Sequence, residues 1–303
     1  MNDGRIAVSH LSKHYKGLPA VDDLSFTVEP GRVTGFLGPN GAGKTTTLRM
    51  LVNLVMPSAG TATIGGQRYA DLDEPGRVVG AVLEASSAHR GRTGLNHLRA
   101  GCLTAGLPLT RADEVLELVG LTPAADRAFK GYSLGMRQRL GIATALLGDP
   151  VVLILDEPTN GLDPEGIRWM RELLQALAAR GRTVLVSSHL LSEMQALADD
   201  VVIVAAGRLV RQGSLTDVLS EMRSNDQVAV HTPEPDKLTT ALRQLGAMVT
   251  VRGPQALTVS DVSVVTIGDA ALAAGVPLYG LHHEQPDLEA AFLSLTHDGA
   301  GLR

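Results

Sequence analysis

The sequence predicts an α/β fold, a mainly parallel sheet covered by helices, with a small α+β domain after it. Three observations carry that prediction. Short β-type runs alternate with helical patterns over the first two thirds of the chain, a glycine-rich loop joins a strand to a helix at 38–46, and an apolar run at 151–155 ends abruptly in two carboxylates. With 303 residues there is room for one large domain and a smaller one. Hydrophobic residues make up 44% of the chain but aromatics only 3%, so the core must be aliphatic, built mainly from Leu, Val and Ala.

In chain order, β-type runs stand at 6–8, 26–28, 33–37, 78–82, 151–155, 183–187 and 201–204. Helical spacing recurs between several of them, at 45–55, 111–119, 133–147, 164–179 and 190–198. In the first of these, Leu48, Leu51, Val52 and Val55 share a face. The stretch GRLVRQG at 207–213 reads as a tight hairpin return, followed by a helix at 215–222. A polar linker at 223–226 marks a change of composition. Beyond it a compact alternation is expected: a strand at 227–231, a helix at 236–245, strands at 248–252, 256–259 and 263–267, a helix at 269–274, a strand near Leu278 and a final helix at 287–296. The expected domains are therefore 1–222 and 227–303.

Residues 38–46 read GPNGAGKTT and meet the phosphate-binding pattern GxxxxGK[ST] at every fixed position. Gly38, Pro39, Asn40, Gly41, Ala42, Gly43, Lys44, Thr45 and Thr46 lie between an apolar strand and an amphipathic helix, the context that the pattern needs. The glycines free the backbone to turn its N–H groups inward, and the helix adds the positive end of its dipole. Lys44 can reach the outer phosphates of a nucleoside triphosphate, and the Thr45 hydroxyl can ligate Mg²⁺. The second element, VVLILDEPTNGLDP at 151–164, is a buried-strand pattern that ends in Asp156 and Glu157. Carboxylates at a strand end meet a ligand there: Asp156 suits the Mg²⁺ and Glu157 suits the attacking water. A third element, YSLGMRQRL at 132–140, places Ser133 as an N-cap and Gly135 where backbone can approach an anion.

Together these motifs resemble the ATP-binding-cassette (ABC) ATPases, with YSLGMRQRL similar to the family's signature, usually written LSGGQ. The resemblance covers about the first 220 residues and implies a P-loop NTPase of the ABC type, with a helical subdomain and a mainly parallel sheet. It implies that Ser133 and Gly135 contact the γ-phosphate bound by a partner subunit in a head-to-tail homodimer. Tyr15 matches the aromatic that stacks on adenine, and Asp163, in NGLD at 160–163, matches the polar contact of the loop that crosses the dimer. His189, in LVSSHLLSEM, matches the histidine that reaches the γ-phosphate. Glu84 stands where the family normally has a glutamine that touches Mg²⁺ and the attacking water. Carboxylate for amide adds negative charge beside the metal. That glutamate, together with Leu134 and Met136 in the signature, resembles the bacitracin, lantibiotic and drug exporter branch. The implied cofactors are ATP and Mg²⁺, and the implied function is the ATPase subunit of an export transporter that drives separate polytopic membrane permease subunits. The tail, ending LEAAFLSLT, is similar to that of single-cassette exporter subunits, which suggests contact with the partner cassette or regulation.

Composition sets the remaining expectations. A net charge of −5 without a Lys/Arg block does not favour a nucleic-acid partner. The single Cys102 rules out an internal disulfide and suits a reducing cytoplasm. Residues 1–10 lack an apolar segment of the secretory kind, and the longest apolar runs, 151–155 and 201–206, fall short of the ~20 residues that a bilayer crossing needs. The expected place is therefore the cytoplasm, peripheral on the inner face of the cell membrane. His282 and His283 have no third ligand at a recognisable spacing and read as solvated histidines. Two rival readings stay open: a soluble ABC ATPase acting on ribosomes or nucleic acid, and a nucleotide-binding module that does not turn over.

Overall fold

The computed structural model describes residues 3–83, 88–223 and 227–284. Glu84 and the helix expected at 287–296 lie outside them. The described residues divide into two compact units, one up to Leu215 and the other from Thr216, so the division falls ahead of the polar stretch at 223–226.

In the first unit, β1 (Ile6–Tyr15) pairs antiparallel with β2 (Leu18–Val28), and β3 (Val33–Leu37) then leads through the glycine-rich loop into α1 (Lys44–Leu51). Next comes β4 (Ala59–Ile64), which pairs with the other side of β1 and completes a three-stranded antiparallel sheet. The short helix α2 (Pro75–Val78) precedes β5 (Val79–Val82). Three helices follow, α3 (Gly94–Thr104), α4 (Thr110–Leu118) and α5 (Leu134–Ala145). The chain then alternates: β6 (Val152–Asp156), α6 (Pro164–Ala179), β7 (Thr183–Ser188), α7 (Leu191–Leu197), β8 (Asp200–Ala205) and β9 (Arg208–Ser214). A second sheet has the order β5-β6-β7-β3-β8-β9, parallel except at β9, which returns antiparallel along β8.

That order positions the site. Strand β3 is buried at all five positions and lies between β7 and β8, with Leu37 opposite Ser188. Strand β6 pairs with β7 so that Asp156 stands opposite Ser187. Gly38, Glu157 and His189, each the next residue after one of these strands, therefore emerge side by side at the carboxyl edge of the sheet, where open α/β folds bind ligands. The core behind this edge is aliphatic around one stacked pair, Phe26 and Phe36, with ring centroids 5.2 Å apart. Cys102 is fully buried in α3, where loss of solvent pushes its thiol pKa up.

The second unit opens with α8 (Leu215–Arg223), apart from its first residue, and continues as β10 (Gln227–His231), α9 (Pro235–Gln244), β11 (Met248–Gly253), β12 (Ala256–Ser260), α10 (Val264–Ala273) and β13 (Gly280–Glu284). The antiparallel order β11-β12-β10-β13 is that of a split β-α-β-β-α-β arrangement. Val228, Val230, Leu238, Leu242, Leu257, Val259 and Ile267 form its core.

The structure corrects the expected elements in three places. The strand expected at 263–267 is the first part of α10: Ser263 caps the helix by accepting the Thr266 N–H at 3.1 Å, and Ile267, Ala270 and Ala271 bury one face at helical spacing. Burial of that face overrides the β preference of Val264, Val265 and Thr266. The last strand begins at Gly280, past Leu278. The sequence reading lacks β4, whose AGTATI has little apolar signal because five of its six residues are Ala, Gly or Thr on a largely exposed edge.

Candidate functional site

The loop after β3 depends on glycine at particular points. Gly41 and Gly43 have φ of 82° and 94°, in the left-handed region. A Cβ on Gly43 would stand 2.4 Å from the Ala20 carbonyl oxygen, and one on Gly38 would stand 2.4 Å from that of Val204. Lys44, the first residue of α1, is only 6% exposed. A buried ammonium needs partners: its Nζ donates to the Gly38 carbonyl at 2.6 Å and lies 3.4 Å from Glu157 Oε1. The next residue, Thr45, donates from Oγ1 to Asp156 Oδ2 at 2.7 Å.

The carboxylates are held from the neighbouring strand. The Ser187 hydroxyl donates to Asp156 Oδ1 and accepts the Glu157 N–H at 2.9 Å, so one side chain sets both residues. Glu157 has φ of 48°, an uncommon conformation for a residue with a β-carbon, of the kind that collects at functional sites. Its two oxygens face different partners, Lys44 through Oε1 and His189 Nδ1 through Oε2 at 2.8 Å. A lysine, a carboxylate and an imidazole thus stand in a row at the sheet edge. Beside them, the Thr45 hydroxyl and the Asp156 carboxylate put hard oxygen donors on one spot, which fits a hard divalent cation.

Among the described residues, those singled out from the sequence as site residues fall into two clefts. One, of about 510 Å³, is lined by Tyr15, Ala20, the loop residues 39–46, Glu157, Asn160 and His189. Asp156 and Gly38 join it from below through their bonds to Thr45 and Lys44. The other, of about 420 Å³, contains Ser133, Gly135 and Asp163. There Ser133 caps α5, accepting the Met136 N–H at 3.2 Å, and Asp163 caps α6, accepting the Gly166 N–H at 2.8 Å. Leu134 packs over Gly161, whose φ is 74°. Two residues that sequence reasoning missed matter to the first cleft. Ser187 is one; the other is Glu193, in the first turn of α7, which accepts from both Thr159 and Ser188. The available signal was a pair of hydroxyls, Ser187 and Ser188, directly after the apolar Val184, Leu185 and Val186 of a fully buried strand. Among the described residues, no helix is long and apolar enough to cross a membrane.

Comparison with known proteins places this geometry. The family model for ABC transporters matches residues 21–160, and one for a domain of unknown function, DUF8746, matches residues 226–289. The uncharacterized ABC transporter ATP-binding protein YhcH of Bacillus subtilis (strain 168) is 38% identical over 294 residues, covering 96% of this chain and 95% of that protein. The bacitracin transport ATP-binding protein BcrA of Bacillus licheniformis is 44% identical over 210 residues, 68% of this chain and 69% of that one. A solved ATP-binding subunit of an ABC transporter superposes with a TM-score of 0.65 at 30% identity, over 71% of this chain and 92% of its own.

Proposed function

The chain belongs to the ATP-binding proteins of ABC transporters, a family of ATPases, and from that premise we propose that it is the ATP-hydrolysing subunit of an exporter. On this reading two copies join head to tail around two ATP molecules and drive separate membrane permease subunits. The observation that carries the dimer is the separation of the two clefts: Ser133 and Gly135 line a different recess from the Lys44, Glu157 and His189 of their own chain. A second copy brings them to the γ-phosphate.

Within one site the roles follow from placement. Backbone N–H groups of the loop and the amino end of α1 hold the phosphates, and Lys44 exchanges its Gly38 carbonyl for phosphate oxygens. Tyr15, half exposed at the rim, offers a ring to the base. Thr45 and Asp156 would hold Mg²⁺, which neutralises charge on the β- and γ-phosphates. Glu157 polarises the attacking water: a bond forms from water oxygen to the γ-phosphorus, the bond to the β–γ bridging oxygen breaks, and the water's proton leaves toward the carboxylate. His189, hydrogen-bonded to Glu157, reaches the γ-phosphate from beside that carboxylate. Glu84 is assigned to the metal and the water from its sequence position alone. The cassette 1–222 carries this chemistry, and 227–303 forms an accessory domain. The names of relatives such as the bacitracin transport protein favour antibiotic or drug export as the substrate class.

The reading is tested by recovering the tagged protein from detergent-solubilised membranes and measuring its ATPase rate. A polytopic partner together with turnover is the expected result. Ribosomes or nucleic acid in place of that partner would replace the exporter with a soluble ATPase, and an absence of turnover would leave only a nucleotide-binding module.

A further inference from the structure

We propose that Glu193 is a positioning residue that fixes the two loops carrying Glu157 and His189 to each other, a role that rests on the ATPase reading of this site. The argument starts from one oxygen atom. Glu193 Oε2 accepts the Thr159 hydroxyl at 2.8 Å and the Ser188 hydroxyl at 2.8 Å. Thr159 is buried and stands two residues after Glu157; Ser188 is buried and directly precedes His189. The carboxylate therefore joins the segment that leaves β6 to the segment that leaves β7.

Besides the bonds from Glu157 to Ser187 and to His189, each segment is closed on itself by a local hydrogen bond. Ser188 Oγ accepts the Leu190 N–H at 3.0 Å, which closes a small turn around His189. On the other side, the Thr159 carbonyl accepts the Leu162 N–H at 3.1 Å, within the loop that runs on to Asp163. Glu193 joins these two turns into one polar unit behind the Glu157–His189 hydrogen bond. An ionised acceptor makes shorter and stronger hydrogen bonds than a neutral one, and a shared acceptor transmits the position of one loop to the other. Glu193 does not line the cleft that contains Lys44 and Tyr15, so it acts through Glu157 and His189 rather than on a ligand. Since the loop reaches Asp163 in the second cleft, the same unit ties that cleft to the first.

The experiment compares Glu193→Ala, Glu193→Gln and Thr159→Val. In Glu193→Ala both hydroxyls lose their acceptor; the expected kcat falls by about ten- to a hundredfold, because small misplacement of a catalytic group costs that much, while KM for ATP stays near wild type. Glu193→Gln keeps an oxygen acceptor in the same place and restores most of the rate. Thr159→Val keeps the shape, removes one donor and gives an intermediate loss even if Glu193→Ala fails to fold. The imidazole NMR signals of His189 supply a readout that needs no turnover: they shift in Glu193→Ala and return in Glu193→Gln. A wild-type kcat in Glu193→Ala, a rise in KM that accounts for the whole loss, or unmoved His189 signals would each overturn the role. Absence of turnover in the wild type would overturn the ATPase reading instead, and the His189 signals would still decide whether Glu193 positions that ring.

Discussion

The two clefts are of similar size, yet their side chains are employed differently. In the first, Lys44 comes from the start of α1 and Glu157 and His189 from two separate strand ends, and their polar atoms face one another across the space between them. In the second, Ser133 and Asp163 spend their side-chain oxygens on the helices that they begin, and Gly135 contributes no side chain at all. What the second cleft presents to a ligand is therefore the backbone at the amino ends of α5 and α6, with Arg139 and Glu165 among the side chains around it. On the proposed reading, the contrast separates a region suited to chemistry from one suited to recognising an anion, each of them half of a site.

The sharpest break of this contrast is Glu157→Gln. Amide for carboxylate keeps a hydrogen-bonding side chain near His189 but removes the base, so steady ATP hydrolysis falls to background while ATP binding persists and the closed dimer accumulates. Phosphate release and gel filtration with ATP measure the two outcomes. Full turnover in this variant would remove Glu157 from the mechanism.

A smaller effect, but one that tests the split directly, comes from mixing two dead variants. Lys44→Ala spoils the first cleft, and Gly135→Glu puts a carboxylate into the second. Each alone is expected to be inactive. In a head-to-tail pair of one with the other, the intact first cleft of the Gly135→Glu copy meets the intact second cleft of the Lys44→Ala copy. With random pairing and independent sites, the mixture recovers about a quarter of the wild-type rate. No recovery on mixing means that each chain supplies both clefts to a single site, and the head-to-tail arrangement falls.

The two regions also differ in how far they could be read from sequence. The loop at 38–46 and the Ser133 cap are local patterns: fixed glycines, a lysine, a hydroxyl before a helix, all within one turn of chain. The sequence order of the strands, with carboxylates at the end of one and a histidine at the end of another, marked Glu157 and His189 as well. What could not be read was the register that makes them neighbours. Leu37 opposite Ser188 and Asp156 opposite Ser187 are long-range facts, and with them came the roles of Ser187 and Glu193, which only the assembled sheet edge reveals. The same limit explains the error at 263–267. Val264, Val265 and Thr266 favour strands locally, and only the burial of Ile267, Ala270 and Ala271 against the small unit's core selects the helix.

The smallest expected effect asks whether the second cleft's side chains are already committed to capping. Ser133→Ala and Asp163→Ala each remove a cap acceptor and should each cost about 1 kcal/mol of stability, read as a fall of a few degrees in Tm without nucleotide. Capping by Asp163 sits on α6, which starts with Pro164 and has Glu165 in its first turn, so some dipole compensation remains there; α5 has no acidic residue in its first turn. Ser133→Ala should therefore cost at least as much as Asp163→Ala. Ser133→Asp should restore the cap and the Tm, yet its negative charge should weaken ATP-driven dimerisation, because the same helix end would then repel the γ-phosphate of the partner's ATP. Recovery of both Tm and dimerisation in Ser133→Asp would mean that this helix end meets no anion, and the second cleft would lose its place in the nucleotide site.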